Sequence, residues 1–178
     1  MPIKSITTKK GDQGASRLFS GEVVAKNSPR LETYGDIDEL GAVLGIARFH
    51  AKKQATKDAI LYLQRTLIHV SAELATTPEN LKRVKIRVDE KMLGILDQKR
   101  DALEATITIP NGFVVSGDSL ATAYLEHART IARRCERKVV GLIQDKIIDN
   151  PLVIVWFNRL SDYLYLLARS EEDKPTLA

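Results

Sequence analysis

Beyond its first thirty positions the chain carries hydrophobic residues at helical spacing. Between Tyr34 and Ala51, the residues Ile37, Leu40, Val43, Leu44 and Ala47 return at three and four positions, the apolar stripe of one helix face. Gly41 and Gly45 lie four apart in the same stretch, so a neighbouring backbone can approach closely there. A second stripe, Leu63, Leu67, Val70 and Leu74, predicts a helix over 56–75. Thr77-Pro78 ends it, because proline has no N–H with which to continue the ladder. Residues 79–87 are polar and basic and read as a connector. Asp89 predicts an N-cap for a third helix carrying Met92, Leu93, Leu96 and Leu103. Thr106 to Gly117 sets Val, Ile and Thr around Pro110-Asn111-Gly112 and reads as an extended loop. A fourth helix is predicted over 119–142. A fifth begins at Asn150-Pro151, a cap followed by proline at the first helical position, and ends near Ser170.

Five helices with short connectors predict an all-α, up-and-down five-helix bundle. Residues 1–30 behave differently. Lys9-Lys10-Gly11-Asp12-Gln13-Gly14, Ser20-Gly21 and Asn27-Ser28-Pro29 punctuate them too often for a helix, so an irregular loop segment is expected. There is no internal repeat and no low-complexity tract. The expectation is one domain over 1–178, with an N-terminal segment 1–30 and a helical bundle 34–170.

Composition narrows this little. A chain of 178 residues with 44% hydrophobic and 28% charged side chains suits one domain with a sizeable core. The net charge of +4 is too small an excess to imply a nucleic-acid coat. Cys135 is the only cysteine, which excludes an internal disulfide and a thiolate zinc cluster. His50, His69 and His127 have no ligand-like spacing, so no metal held by the protein itself is expected, while a metal arriving on a substrate stays open. Met1 to Gly14 holds no apolar core of signal-peptide length. The apolar run 152–167 is interrupted by Asn158, Arg159 and Asp162. Together these lead to the expectation of a cytoplasmic protein.

Three segments carry candidate chemistry. On the fourth helix, at roughly 100° per residue, Ala121, Tyr124, Leu125, Ala128, Ala132, Cys135, Val139 and Leu142 form one apolar face. Arg129, Arg133 and Glu136 fall within roughly 60° of each other at its edge, and Arg134 and Arg137 point further round. Two readings follow. Either two half-buried guanidinium groups are placed to grip phosphate oxygens bidentately, or the stripe is a solvated set of ion pairs at three and four residues. Cys135 on the apolar face reads as a small buried hydrophobe rather than a nucleophile.

The fifth helix is apolar nearly all round and should be central, which makes Asn158, Arg159 and Asp162 expensive unless satisfied. Either Arg159 pairs with Asp162 inside the core, or Asn158 and its neighbours face a ligand. In the N-terminal segment, Thr8 to Ser16 offers hydroxyls, lysines and backbone N–H groups freed by glycines. Those parts can cradle a polyphosphate, though without the spacing of a P-loop, and a flexible basic terminus is the other reading.

Read in order, Thr-Lys-x-Gly-Asp-x-Gly, Lys-x-x-Pro-Arg, Tyr-Gly-x-x-Asp-Glu-Leu, Ala-Arg-Thr-x-x-Arg-Arg-x-Glu-Arg and Asn-Arg-Leu-Ser-Asp-Tyr resemble one family. It is the propanediol-utilisation type of ATP:cob(I)alamin adenosyltransferase, and the likeness runs from Ile6 to Arg169. The resemblance implies a homotrimer with active sites between subunits, ATP with Mg²⁺, and cob(I)alamin as the corrinoid substrate. It assigns ATP to Thr8, Lys9, Lys10, Gly11, Ser16, Arg17 and Lys26, and to Arg133, Arg134, Cys135, Glu136, Arg137 and Asn158. Asp38 matches an aspartate that pairs across the subunit boundary with the arginine matching Arg129. Phe113 matches the aromatic residue that approaches the lower face of the corrin. The catalytic set so implied is Arg129, Arg133, Phe113 and Asp38, with any Mg²⁺ carried by ATP near Glu136.

Two departures stand out: Ser116-Gly117-Asp118 replaces a family Pro-Gly-Gly, and Ala15-Ser16 replaces a more hydroxyl-rich pair. A cobalamin reductase and an adenosylcobalamin-dependent mutase are implied as partners, a membrane and nucleic acid are not. The alternatives are a non-catalytic ATP- and corrinoid-binding sensor or delivery protein, and a nucleic-acid-binding module using Lys82, Arg83, Lys85 and Arg87. The second predicts salt-dependent binding to duplexes, and Glu136, Asp38, Glu39 and Asn158 speak against it.

Overall fold

The computed structural model describes Thr7 and residues 9–178, and the protein is mostly helical. Two short strands, β1 (Ala15–Arg17) and β2 (Val23–Ala25), precede α1 (Pro29–His50) and α2 (Gln54–Leu74). A 3-10 helix (Pro78–Arg83) leads to α3 (Glu90–Glu104), α4 (Leu120–Gln144) and α5 (Leu152–Ser170). α4 packs between α1 and α5, with α2 against α1 and α3 against α5. The core between them holds Ile37, Leu44, Leu63, Ile131, Trp156 and Phe157, all but inaccessible to solvent. None of the helices is long and apolar enough to cross a membrane.

Helix starts follow their caps. Asp89 accepts from the Met92 N–H at 2.7 Å, as expected. Ser119 and Thr122 satisfy each other's backbone N–H reciprocally at the head of α4. α1 begins earlier than its apolar stripe suggested, because Ser28 accepts from the Leu31 N–H and Pro29 fills the first turn. At α5 the expected boundary moves by one: Asn150 accepts from the Leu152 N–H at 3.1 Å, and Pro151 is the residue at the cap position.

The irregular N-terminal segment contains a hairpin that sequence reading missed, with Ala15 opposite Ala25 and Arg17 opposite Val23. Strands of three residues are too short to display an alternation. The hairpin is fastened to the far end of α2. Phe19 N–H donates to the Ala75 carbonyl (3.0 Å) and Arg83 to the Ser20 carbonyl (2.8 Å). Glu22 accepts from Ser20, from Thr77 (2.9 Å) and from Asn80 (2.7 Å). The Ser20 hydroxyl, the Glu22 backbone N–H, and then Thr77 and Asn80 hold the Glu22 carboxyl below the usual carboxylate range. The Glu22 share of that docking is present at neutral pH and lost as the pH falls through the lowered value, while the Phe19 and Arg83 contacts do not titrate there.

Buried polar groups tie the remaining joints. Arg30 donates to the carbonyls of Leu74 (2.6 Å), Thr76 (2.8 Å) and Ile147, joining the head of α1 to the end of α2 and the α4–α5 turn. Burial pushes its pKa down. Glu73 accepts from Arg87 (3.0 Å), the Val88 N–H (2.7 Å) and Asn150 (2.8 Å). In the last turn of α5, Arg169 donates to Glu126 (3.0 Å) and Glu172 (2.9 Å), and just beyond it Glu171 accepts from the Lys52 and Lys53 N–H groups. The chain then runs back beside the loop ahead of α4, where Val114 and Leu177 form an isolated antiparallel bridge.

Candidate nucleotide and corrinoid site

The hairpin builds the first concavity. Lys10, Gly11, Ser16, Arg17 and Lys26 line a cavity of about 420 Å³ together with Ala15 and Val23. Lys9 lies at φ +58° and Gly14 at φ +78°, which folds the segment into a tight turn closed by Gly14 N–H donating to the Gly11 carbonyl (3.2 Å). A Cβ at Gly11 would come within 3.0 Å of the Lys26 side chain, so glycine there leaves room for the ammonium beside the turn. Three cations, a hydroxyl and a glycine-opened turn in one concavity are the chemistry of a polyphosphate cradle. Thr8, assigned to the same set by resemblance, lies outside the described residues.

A second cavity, about 390 Å³, opens between α3, α4 and α5 and holds Arg100, Arg129, Arg133, Asp162 and Tyr165. Glu126 accepts from Arg129 at 2.6 Å and leaves that side chain half-buried. Arg133, expected half-buried beside it, is exposed in the single chain. Arg100 is held by Asp97 (3.0 Å) and Asp101 (2.6 Å). Sequence reading did not single it out, because nothing in α3 itself marks a residue whose neighbours come from two other helices.

The rest of the basic helix divides its work. Arg134 donates to Asp36 (3.1 Å) and Glu39 on α1, and Lys138 joins Asp36 at 3.0 Å. Arg137 is exposed. Asn158 donates to Glu136 at 3.3 Å and accepts from Arg159 at 3.1 Å. Of the two readings offered for α5, the pairing of Arg159 with Asp162 is not formed: Arg159 turns to Asp97 at 3.4 Å, and Asp162 is exposed toward the second cavity. Arg83 and Arg87, offered as nucleic-acid contacts, are engaged by Ser20 and by Glu73 with Asp149.

Cys135 requires a correction. It was placed in the ATP set by resemblance, yet it lies wholly buried on the apolar face of α4, as the angular reading had it. Burial pushes its thiol up to about 12, so it offers neither a thiolate nor a reachable side chain. Cys135→Ala is expected to leave activity unchanged and to lower stability by about 1 kcal/mol. Thiol-reactive reagents should label the native protein only after denaturation; rapid labelling of the native state would contradict this placement.

Phe113 follows Gly112 (φ +148°) and is 89% exposed, and Asp38 is exposed on α1. Within one chain the assigned residues therefore fall into separate places: the hairpin cradle, the arginine cleft, the Glu136–Asn158 pair and the Phe113 loop. No cluster of three or more His, Cys, Asp or Glu able to hold a metal occurs among the described residues.

With the two basic concavities placed on the helical fold, comparison with known proteins supplies the family. The chain belongs to the cobalamin adenosyltransferase family, whose sequence profile matches residues 6–171. It is 34% identical over 170 residues to a corrinoid adenosyltransferase of Citrobacter freundii, covering 96% of each chain. It is 35% identical over 168 residues to the corrinoid adenosyltransferase PduO of Citrobacter freundii, and spans about half (50%) of that protein's length. Among solved structures, a variant of the PduO-type ATP:corrinoid adenosyltransferase from Lactobacillus reuteri, complexed with cobalamin and ATP, superposes with a TM-score of 0.87. Its sequence identity is 28%, over 98% of this chain and 99% of that one.

Proposed function

We propose that this protein transfers the 5′-deoxyadenosyl group of ATP to the cobalt of a reduced corrinoid, giving adenosylcobalamin and triphosphate. The observation that carries the reading is the hairpin cradle of Lys10, Gly11, Ser16, Arg17 and Lys26 in a chain of this family. Cobalt(I) is the nucleophile: its electron pair forms the bond to the ribose C5′ while the C5′–O bond breaks onto the departing triphosphate. The chemistry belongs to the corrinoid, so no general base is needed. The protein's share is to position C5′ over cobalt and to stabilise the triphosphate through Lys9, Lys10, Lys26, Arg133 and Arg137. Mg²⁺ would arrive on the triphosphate, with the Glu136 carboxylate, already oriented by Asn158, as the protein group beside it.

The two cavities share no lining residue within one chain, and an assembly in which one copy brings the hairpin and the next brings the arginine cleft lets a single nucleotide use both. α1 supplies a contact face for such a copy. Asp38, Ala42, Ile46 and Phe49 are exposed at helical spacing, Phe49 at 81%. A five-helix bundle assembled as a homotrimer, with Asp38 of one subunit meeting Arg129 of the next, accounts for both. A cobalamin reductase supplying the electron, an adenosylcobalamin-dependent mutase taking the product and a cytoplasmic location complete the reading.

The deciding experiment is an anaerobic assay with chemically reduced cobalamin, ATP and Mg²⁺, following loss of the cobalt(I) absorption and appearance of adenosylcobalamin. Protein-dependent product establishes the reaction. ATP binding without turnover would instead mark a sensor or delivery protein. In the same reading Phe113 excludes the lower axial ligand and leaves a four-coordinate cobalt(II) that is easier to reduce. Phe113→Ala should slow adenosylation from cobalt(II) about tenfold or more with ATP affinity near wild type, and a variant with full turnover removes Phe113 from the mechanism.

A further inference from the structure

Among the described residues little side-chain packing holds Phe113, which is 89% exposed. Its backbone is held instead. The Phe113 carbonyl accepts from the Ala178 N–H at 2.9 Å, and the Val115 N–H donates to the Thr176 carbonyl at 2.8 Å. These two bonds bracket the Val114–Leu177 bridge. Leu177 also lies over the backbone of Gly112, the residue before Phe113. An antiparallel contact this short does not persist in water unaided, so it needs an anchor.

Asp118 provides one. Its carboxylate accepts from the Thr176 N–H at 2.9 Å and from the Thr176 hydroxyl at 2.7 Å. Gly117, at φ +125°, turns the chain between the bridge and this carboxylate. The Thr176 N–H, then its hydroxyl, hold the Asp118 carboxyl below the usual carboxylate range, which keeps it ionised and its hydrogen bonds charge-assisted at neutral pH. Arg169 secures the other side of the same segment through Glu172 and Glu126.

We propose that Asp118 clasps the segment Thr176–Ala178 against the loop 112–115 and thereby sets the position of Phe113, which makes Asp118 a positioning residue for the corrinoid step. This rests on the reading that Phe113 faces the corrin. The clasp acts through backbone, so it fixes where the ring is carried while leaving the ring free to meet its substrate. A glycine at position 118 would have no acceptor for Thr176, so this mode of support belongs to chains with a carboxylate there.

The test compares the unsubstituted protein with Asp118→Ala, Ala178→Pro, Thr176→Ser and Phe113→Ala. Ala178→Pro deletes the N–H that reaches the Phe113 carbonyl. Two readouts are taken: the fraction of four-coordinate cobalt(II) by electron paramagnetic resonance with cob(II)alamin and ATP, and kcat and KM for ATP from the reductively coupled assay. Asp118→Ala and Ala178→Pro should lower both the four-coordinate fraction and kcat by about fivefold to tenfold, with KM for ATP unchanged. Thr176→Ser, which keeps both donors, should behave as wild type. If Phe113→Ala is impaired while Asp118→Ala and Ala178→Pro match wild type, the clasp is overturned and the role of Phe113 stands. If Phe113→Ala itself matches wild type, both fall. A rise in KM for ATP that tracks the loss of kcat would show a general structural effect and overturn the positioning role.

Discussion

Arg30→Ala is expected to lower the stability of the fold by about 3 kcal/mol, through buried acceptors left unpaired. Arg30 is 7% exposed and spans three carbonyls, those of Leu74, Thr76 and Ile147, from two separate chain turns. Alanine leaves those acceptors facing a space that only water can fill, and it removes a buried aliphatic stem with its planar guanidinium. Among the described residues no carboxylate forms an ion pair with Arg30, so the loss comes from hydrogen bonds and packing and should depend little on salt. Thermal unfolding at fixed protein concentration reads it as a fall in Tm of about 6–12 °C. Arg30→Lys should lie between, since one ammonium cannot reach all three acceptors in the geometry of a fork. An unchanged Tm in Arg30→Ala would mean that water satisfies the carbonyls at no net cost.

Arg133→Lys is expected to lower kcat by about tenfold to a hundredfold although the charge is kept. The structure sets Arg133 on α4 in the cleft that also holds Arg129 and Arg100. Its exposure in the single chain leaves its guanidinium unspent on internal partners, unlike Arg134, which Asp36 and Glu39 engage. A planar fork can hold two oxygens of the departing triphosphate at once, and lysine holds them as a point charge. One charge-assisted hydrogen bond lost in the transition state is about 1.5–3 kcal/mol, which is the stated factor in rate. Steady-state kinetics with pre-reduced cobalamin measures it, and wild-type kcat in Arg133→Lys would take this residue out of leaving-group stabilisation.

How far the sequence carries differs from element to element. Most of the apolar face of α4 is readable, because a helix wall is a local periodicity: Ala121, Leu125, Ala128, Ala132, Cys135, Val139 and Leu142 are buried, whereas Tyr124 is only half-buried and Thr122, Glu126 and Ile131 are buried beside the expected face. The same periodicity placed the Cys135 side chain on the buried face. Asp89 as a cap was readable because its partner lies three residues away. The start of α1 was not, since Asn27-Ser28-Pro29 is equally the chemistry of a turn and of a helix N-terminus. Partners far along the chain were invisible: Arg159 meets Asp97 rather than Asp162, Arg100 enters a cleft shared with α4 and α5, and the segment 176–178 finds the loop 113–118. Such pairings are decided by how helices pack, which no local pattern encodes. The residues of the candidate site were named from their motifs, whereas their distribution over separate places on one chain needed the fold.

The attachment of the hairpin to the end of α2 ties occupancy to local melting. Its strands are three residues each, and the hairpin rests on one buried apolar side chain, Leu18, and on polar contacts, Glu22, Ser20 and Arg83 among them. A segment of that kind opens at lower free energy than the helices around it. A ligand held by the cradle binds only its closed form, so it raises the free energy of opening by RT ln(1 + [L]/Kd) while the bundle is left as it was. Amide hydrogens of Ser16, Val24 and Lys26 should therefore slow their exchange in step with bound nucleotide, and those of Ile131 and Trp156 should not respond through this opening. On the proposed function, the opening equilibrium of the hairpin is thus set by nucleotide concentration apart from that of the bundle.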